Sequence, residues 1–143
     1  MKSNFLKKLK DTVQTERIED KVKFLGARND VAELLRISNL FVMPSRSEGL
    51  PLALLEALAT GIPCLASKTG GIPDIIRDGE NGILFDRENV EHLGSLLELM
   101  IGNERLRNKM AREARKSIYP YTMQSYVANV FNIYETLYNQ NKQ

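Results

Sequence analysis

Two glutamates eight positions apart, Glu48 and Glu56, are the residues whose type and spacing best suit chemistry. Glu48 stands in a polar loop, Ser45-Arg46-Ser47-Glu48-Gly49, just before an apolar stretch. A carboxylate there can accept hydrogen bonds from ligand hydroxyls. It can equally be a solvated acid favoured by the dipole of the helix that follows. Glu56 is the only charged residue from Leu50 to Ala59. A helix apolar nearly all round is expected to be buried, and a buried carboxylate needs a partner. The alternative is that Glu56 and Thr60, one helical turn apart, form a narrow exposed stripe. Sequence alone leaves both readings open. Between the two acids, the N–H groups near Gly49, Leu50 and Leu52 lack partners within the helix and can hold an anion. Arg46 and Lys68 can add positive charge, although surface cations usually act weakly.

The elements around these residues must position them. Leu40-Phe41-Val42-Met43 is an apolar run short enough for a buried strand, and Pro44 stops it. Pro51 falls in the first turn of the next helix, where a missing N–H costs nothing. Gly61 is a good stop for that helix. Ile62 to Ala66 and Ile83 to Phe85 read as further strands, and Asp78-Gly79-Glu80-Asn81-Gly82 as the turn before the last one. Val22-Lys23-Phe24-Leu25-Gly26 reads as a strand ending in glycine. The loop Ala27-Arg28-Asn29 leaves the same sheet edge, where a flat ring could rest or the chain could simply turn. Gly70-Gly71 lets the backbone approach something closely, or only turn.

Strands and helices alternate up to Phe85, and the strands are continuous apolar runs. This predicts an α/β fold with a parallel sheet of about four strands, flanked by helices on both faces. The α/β part covers about residues 1–87, and a helical part about 88–140, of one partial domain. The segment Glu104 to Ile118 is rich in Arg and Lys and reads as mostly exposed. Thr122 to Tyr138 reads as a helix with Tyr126, Val130, Ile133, Tyr134 and Leu137 on one side. The tail Asn139 to Gln143 reads as frayed. The helix Ser3 to Thr15 precedes any strand and has no obvious partner, so the chain is expected to begin partway through a larger domain.

Composition narrows the function classes. The chain has 143 residues, of which 43% are hydrophobic and 27% charged, ordinary values for a globular protein. A net charge of +2 gives no argument for nucleic acid. The single cysteine, Cys64, allows no disulfide within the chain and suits a reducing, cytoplasmic compartment. No run approaches a membrane span, and no cluster of His and Cys suggests a metal. His92 is the sole histidine, so no Ser-His-Asp arrangement can be argued. Neither a Gly-Lys-Ser phosphate loop nor a Gly-x-Gly-x-x-Gly follows a strand.

The stretch Pro44 to Ala57, with seven residues between Glu48 and Glu56, resembles the signature of retaining GT-B glycosyltransferases of the glycosyl transferase group 1 family. Phe24-Leu25-Gly26, Gly61-Ile62-Pro63, Gly70-Gly71-Ile72-Pro73-Asp74-Ile75-Ile76 and Asp78 to Phe85 resemble further landmarks of that family, in order. The resemblance implies a Rossmann-like, donor-binding C-terminal domain. In it Glu48, the implied catalytic residue, would contact the donor sugar. Gly49, Leu50, Leu52 and Arg46 would face the sugar and diphosphate, Glu56 the ribose, and Gly26, Ala27 and Arg28 the base. The implied ligand is a nucleotide-diphosphate sugar such as a UDP- or GDP-sugar, with no cofactor and no metal.

Two departures from the family pattern stand out. The glycine-rich loop and following lysine that help to clamp the diphosphate are not found before Ser3, and the N-terminal acceptor domain is also missing. The isolated chain is therefore expected to be inactive. Its last helix would pack elsewhere or favour self-association. Peripheral attachment at the inner face of the membrane would belong only to a full-length protein. The alternatives are a non-catalytic sugar-nucleotide or interaction module, or a half-protein working with a separate partner chain. A fold-related epimerase is disfavoured, because its acids and histidine are not found.

Overall fold

Where apolar residues recur every three or four positions the chain is helical, and where they run unbroken it forms short strands. The computed structural model describes the backbone of residues 2–140 and the side chains of residues 4–140. Two units are distinguished, Met1–Asp30 and Val31–Gln143.

The first unit contains helix α1 (Lys2–Thr15). Its expected strand over Val22–Gly26 does not form. A strand exists only with a hydrogen-bonded neighbour, and the described residues of this unit offer none. Phe24 and Leu25 remain 42% and 50% exposed. The Phe24 ring instead lies 5.9 Å from the Lys10 ammonium.

The second unit holds three strands, β1 (Phe41–Met43), β2 (Cys64–Ser67) and β3 (Gly82–Phe85), all parallel and in the order β1-β2-β3. Val42 stands opposite Leu65, and Leu65 opposite Ile83. The helices are α2 (Val31–Ile37), α3 (Leu52–Thr60), α4 (Ile72–Ile75), α5 (Val90–Gly102), α6 (Glu104–Ser117) and α7 (Met123–Gln140). A short 3-10 turn, Tyr119–Tyr121, joins the last two.

Alternate strand residues enter two apolar layers. Phe41, Met43, Cys64, Ala66 and Leu84 pack with Leu54, Leu58, Ile72, Ile75 and Ala114. Val42, Leu65, Ile83 and Phe85 pack with Leu93, Leu96, Leu97, Met100 and Met110. Both faces of the sheet are thus covered, which explains why its strands read as unbroken apolar runs. Burying a side chain such as Leu54 or Leu58 contributes roughly 1.5–3 kcal/mol.

Helix α3 follows Pro51, whose carbonyl accepts the N–H groups of Leu54 and Leu55 at 3.0 and 3.2 Å. It ends at Gly61, with φ +77°, a left-handed turn that glycine adopts without strain. Helix α6 packs against α3. Despite its many cations it buries Met110 and Ala114 fully, because they lie four residues apart on one stripe. The buried Asn81 amide ties the turn before β3 to the same helix, donating to the Ile75 carbonyl at 3.0 Å and to Ser117 Oγ at 2.9 Å.

Helix α7 buries none of its side chains, and Tyr126, Phe131 and Tyr134 are each 65–69% exposed. Of the expected frayed tail, Asn139 and Gln140 end this helix, and residues 141–143 lie outside the described residues.

Cys64 lies fully buried on β2, and burial pushes its thiol up to about 12 from an ordinary 9.0. The folded state favours the protonated thiol. Its contribution to stability is therefore complete below pH 9.0 and is lost as pH rises toward 12. A maleimide probe at neutral pH is expected to leave Cys64 unlabelled in the folded protein and to label it in denaturant. Rapid labelling without denaturant would contradict this burial.

Candidate donor site at the carboxyl edge of the sheet

All three strands end at one edge of the sheet, where the loops after β1, β2 and β3 meet. In open α/β sheets this is the edge at which ligands bind. The loop from Pro44 to Pro51 forms the centre of the site. Ser67, the last residue of β2, is 1% exposed and donates its hydroxyl to the Ser45 carbonyl at 2.6 Å. Thr69 Oγ1 donates to the Arg46 carbonyl at 3.1 Å, and Arg87 Nη1 donates to the same oxygen at 3.2 Å. The loop is thus held from residues at or beyond the ends of both β2 and β3.

Gly70 and Gly71 complete the seat. A Cβ at Gly70 would overlap the Glu48 carbonyl oxygen, and one at Gly71 the Gly49 carbonyl oxygen. Gly70 also has φ +51°, in the left-handed region. The paired glycines therefore let one backbone segment lie directly against another.

Glu48 is half-buried, and its Oε1 accepts the Ser45 hydroxyl at 2.7 Å. Oε2 has no partner among the described residues. Beyond it, α3 begins without a side-chain cap, so its first N–H groups, including that of Leu52, are open to an anion. Gly49, Leu50 and Leu52 are all exposed. Glu56 lies one turn along α3 from Leu52. The structure resolves the choice left open for it, since Glu56 is exposed on a stripe with Leu52, Ala53 and Ala59. It needs no internal partner and has none among the described residues.

Arg46 is 81% exposed along its side chain and pairs with Glu88 at 3.0 Å. Lys68 pairs with Asp86 at 3.5 Å. Such exposed pairs contribute little and exchange readily for a better anion. An open cleft of about 360 Å³ lies beside them, lined by Pro44, Arg46, Phe85, Arg87, Glu88, Asn89, Val90 and Leu93. Among the described residues, no three or more His, Cys, Asp or Glu side chains gather in a way that could hold a metal ion.

The second unit therefore brings together Arg46, Glu48, Gly49, Leu50, Leu52 and Glu56 on one loop and helix. Gly26, Ala27 and Arg28 belong to the first unit. There Gly26 has φ +66°, and Arg28 forms a two-pronged pair with Asp30. That pair raises the Arg28 guanidinium and lowers the Asp30 carboxyl from their ordinary values. Sequence reasoning missed Ser67, Thr69 and Arg87. Their contacts span 22, 23 and 41 residues, and no local pattern signals them.

A parallel α/β sheet with an acid-bearing loop and an open helix end at its carboxyl edge has the arrangement of a ligand-binding α/β domain. Residues 2–117 match the family of glycosyl transferases group 1, and the chain belongs to that family. It is 36% identical over 126 residues to N-acetyl-alpha-D-glucosaminyl L-malate synthase of Bacillus anthracis, covering 88% of this chain and 32% of that protein. The chain thus spans about a third of the length of that curated relative. The C-terminal domain of a glycosyl transferase group 1 family protein (LpcC) from Francisella tularensis superposes with TM-score 0.74 and 27% identity, over 84% of this chain and 64% of that one. Anabaena Alr3699/HepE, solved in complex with UDP, superposes with TM-score 0.83 and 25% identity, over 96% of this chain and 37% of its own.

Gly70→Ala places a methyl group against the Glu48 carbonyl at a left-handed φ. A loss of at least about 1 kcal/mol is expected from the backbone strain alone. Chemical denaturation of the variant checks this, and an unchanged midpoint would mean that the two loops are not in contact.

Proposed function

We propose that this chain is the donor-binding part of a retaining glycosyltransferase, which moves a hexosyl group from a nucleotide-diphosphate sugar to an acceptor hydroxyl. The observation that carries this reading is the placement of Glu48 beside the uncapped N-terminus of α3. A carboxylate is suited to a sugar diol, and an open helix end to the diphosphate. In the proposed assignment Glu48 contacts the sugar. Gly49, Leu50 and Leu52 face sugar and diphosphate through their backbone, and Arg46 exchanges Glu88 for the diphosphate. Glu56 accepts the ribose hydroxyls, for which its exposed, unpaired carboxylate is available. No cofactor or metal enters the proposal. Anabaena Alr3699/HepE has also been solved in complex with UDP-glucose, which supports a sugar-nucleotide ligand for this site.

In the reaction, the bond from the anomeric carbon to the diphosphate oxygen breaks, and its electron pair leaves with the diphosphate. The acceptor oxygen joins the same face of the sugar, and its proton passes to the departing diphosphate oxygen. The helix end and nearby cations stabilise the charge that develops on the leaving group.

The acceptor site is assigned to the rest of a full-length enzyme or to a partner chain, in keeping with the 32% coverage of the Bacillus relative. The exposed apolar face of α7 suits contact with such a region, or with a second copy. Polysaccharide or lipid-linked acceptors at the inner face of the membrane fit this proposal. None of the described helices is long and apolar enough to cross a membrane.

Calorimetry with UDP, GDP and their sugars tests the donor site. Glu56→Ala is expected to weaken binding of the preferred nucleotide by roughly tenfold or more, the scale of losing hydrogen bonds to a charged group. No binding of any nucleotide would leave a structural or interaction module as the better reading. The isolated chain is expected to transfer no sugar, and measured turnover with any donor and acceptor would overturn that.

A further inference from the structure

A carboxylate that selects a sugar must be held so that one oxygen points outward. Glu48 is not held by burial, since it is only half-buried and carries no ion pair among the described residues. What fixes it is the Ser45 hydroxyl, which donates its single proton to Oε1 at 2.7 Å. Ser45 is in turn fixed through its carbonyl, which accepts the hydroxyl of Ser67 at 2.6 Å. Ser67 ends β2 and is 1% exposed, so its position is set by the sheet. These contacts run from the core through Ser67 and Ser45 to Glu48, and the other carboxylate oxygen, Oε2, has no partner among the described residues.

We infer that Ser45 is a positioning residue for donor-sugar recognition, and that Ser67 holds Ser45 in place. The inference rests on the donor-site reading of Glu48 given above. With the Ser45 proton committed to Oε1, Oε2 is the oxygen presented to a sugar hydroxyl. Without that proton the carboxylate turns among its rotamers, and the sugar contact is lost while the helix end still holds the diphosphate. Ser45 thus contributes to the increment by which a sugar nucleotide binds more tightly than its bare nucleoside diphosphate.

The test measures that increment by calorimetry on the full chain. UDP-glucose, UDP-N-acetylglucosamine and GDP-mannose are each compared with UDP or GDP. Ser45→Ala is expected to reduce the increment roughly tenfold, the effect of one hydrogen bond to a charged group, while diphosphate affinity stays within about twofold. Ser45→Thr keeps the hydroxyl and is expected to restore the increment. Ser67→Ala is expected to shift it in the same direction as Ser45→Ala. Glu48→Gln should abolish it, and adding Ser45→Ala to Glu48→Gln should then cost nothing more, because Ser45 acts through Glu48. An increment retained in Ser45→Ala, or equal losses of sugar nucleotide and bare diphosphate, would overturn the inference alone. Additive losses in the double variant would do the same. If no sugar nucleotide binds the unaltered chain better than its diphosphate, the donor-site reading itself fails, and the inference with it. Thermal melts of each variant separate a lost contact from a lost fold; if Ser45→Ala does not fold, Ser67→Ala carries the test, and an increment retained in folded Ser67→Ala would overturn the inference.

Discussion

The backbone of Glu48 and Gly49 lies so close to Gly70 and Gly71 that neither glycine has room for a methyl group. The site depends on this approach more than on any charge. It sets the distance between the loop after β1 and the loop after β2, and so where α3 begins. Ser67 and Thr69 add hydrogen bonds on the same side of the loop, and Arg87 adds one from beyond β3. Segments far apart in sequence thus fix a stretch of chain that has little apolar surface of its own. Polar loops are ordinarily the mobile part of a fold, and this one is held at its carbonyls instead.

The ion pairs at the same edge have a different character. Arg46 with Glu88 and Lys68 with Asp86 are exposed and free to rearrange. They contribute little to the fold and leave the cations available. The rigid parts of the site are backbone and short hydroxyls, and the adjustable parts are long charged side chains. This division suits a ligand whose sugar and diphosphate need different handling. A diol is read by geometry, which a fixed carboxylate supplies. A diphosphate is held by summed charge, which a flexible cation can follow.

Much of this was legible in the sequence because it is local. The strand-loop-helix over Phe41 to Thr60 follows from one apolar run, two prolines and the closing Gly61. The Gly70-Gly71 pair announced a close approach but not what approached. Val22 to Gly26 has the composition of a strand and is not one, because composition cannot supply a neighbour to bond with. Glu56 was ambiguous because its apolar neighbours said nothing about which side of α3 faces solvent. Packing decides that, as Leu54, Ala57 and Leu58 turn to the core and Glu56 turns away. Residue counts read α6 as mostly exposed, and only Met110 and Ala114 of it are buried. Those two suffice to anchor it.

The strand order β1-β2-β3 follows the order in which the chain is made. As the polypeptide leaves the ribosome, β2 meets β1 and β3 meets β2 already in place, and none of the described strands has to be threaded between two earlier ones. Only α6 departs from this schedule. It covers α3 after both remaining strands and all of α5 have been synthesised. Ala57 and Leu58 belong to the same layer as Ala114. That layer is complete only when the Arg- and Lys-rich helix arrives.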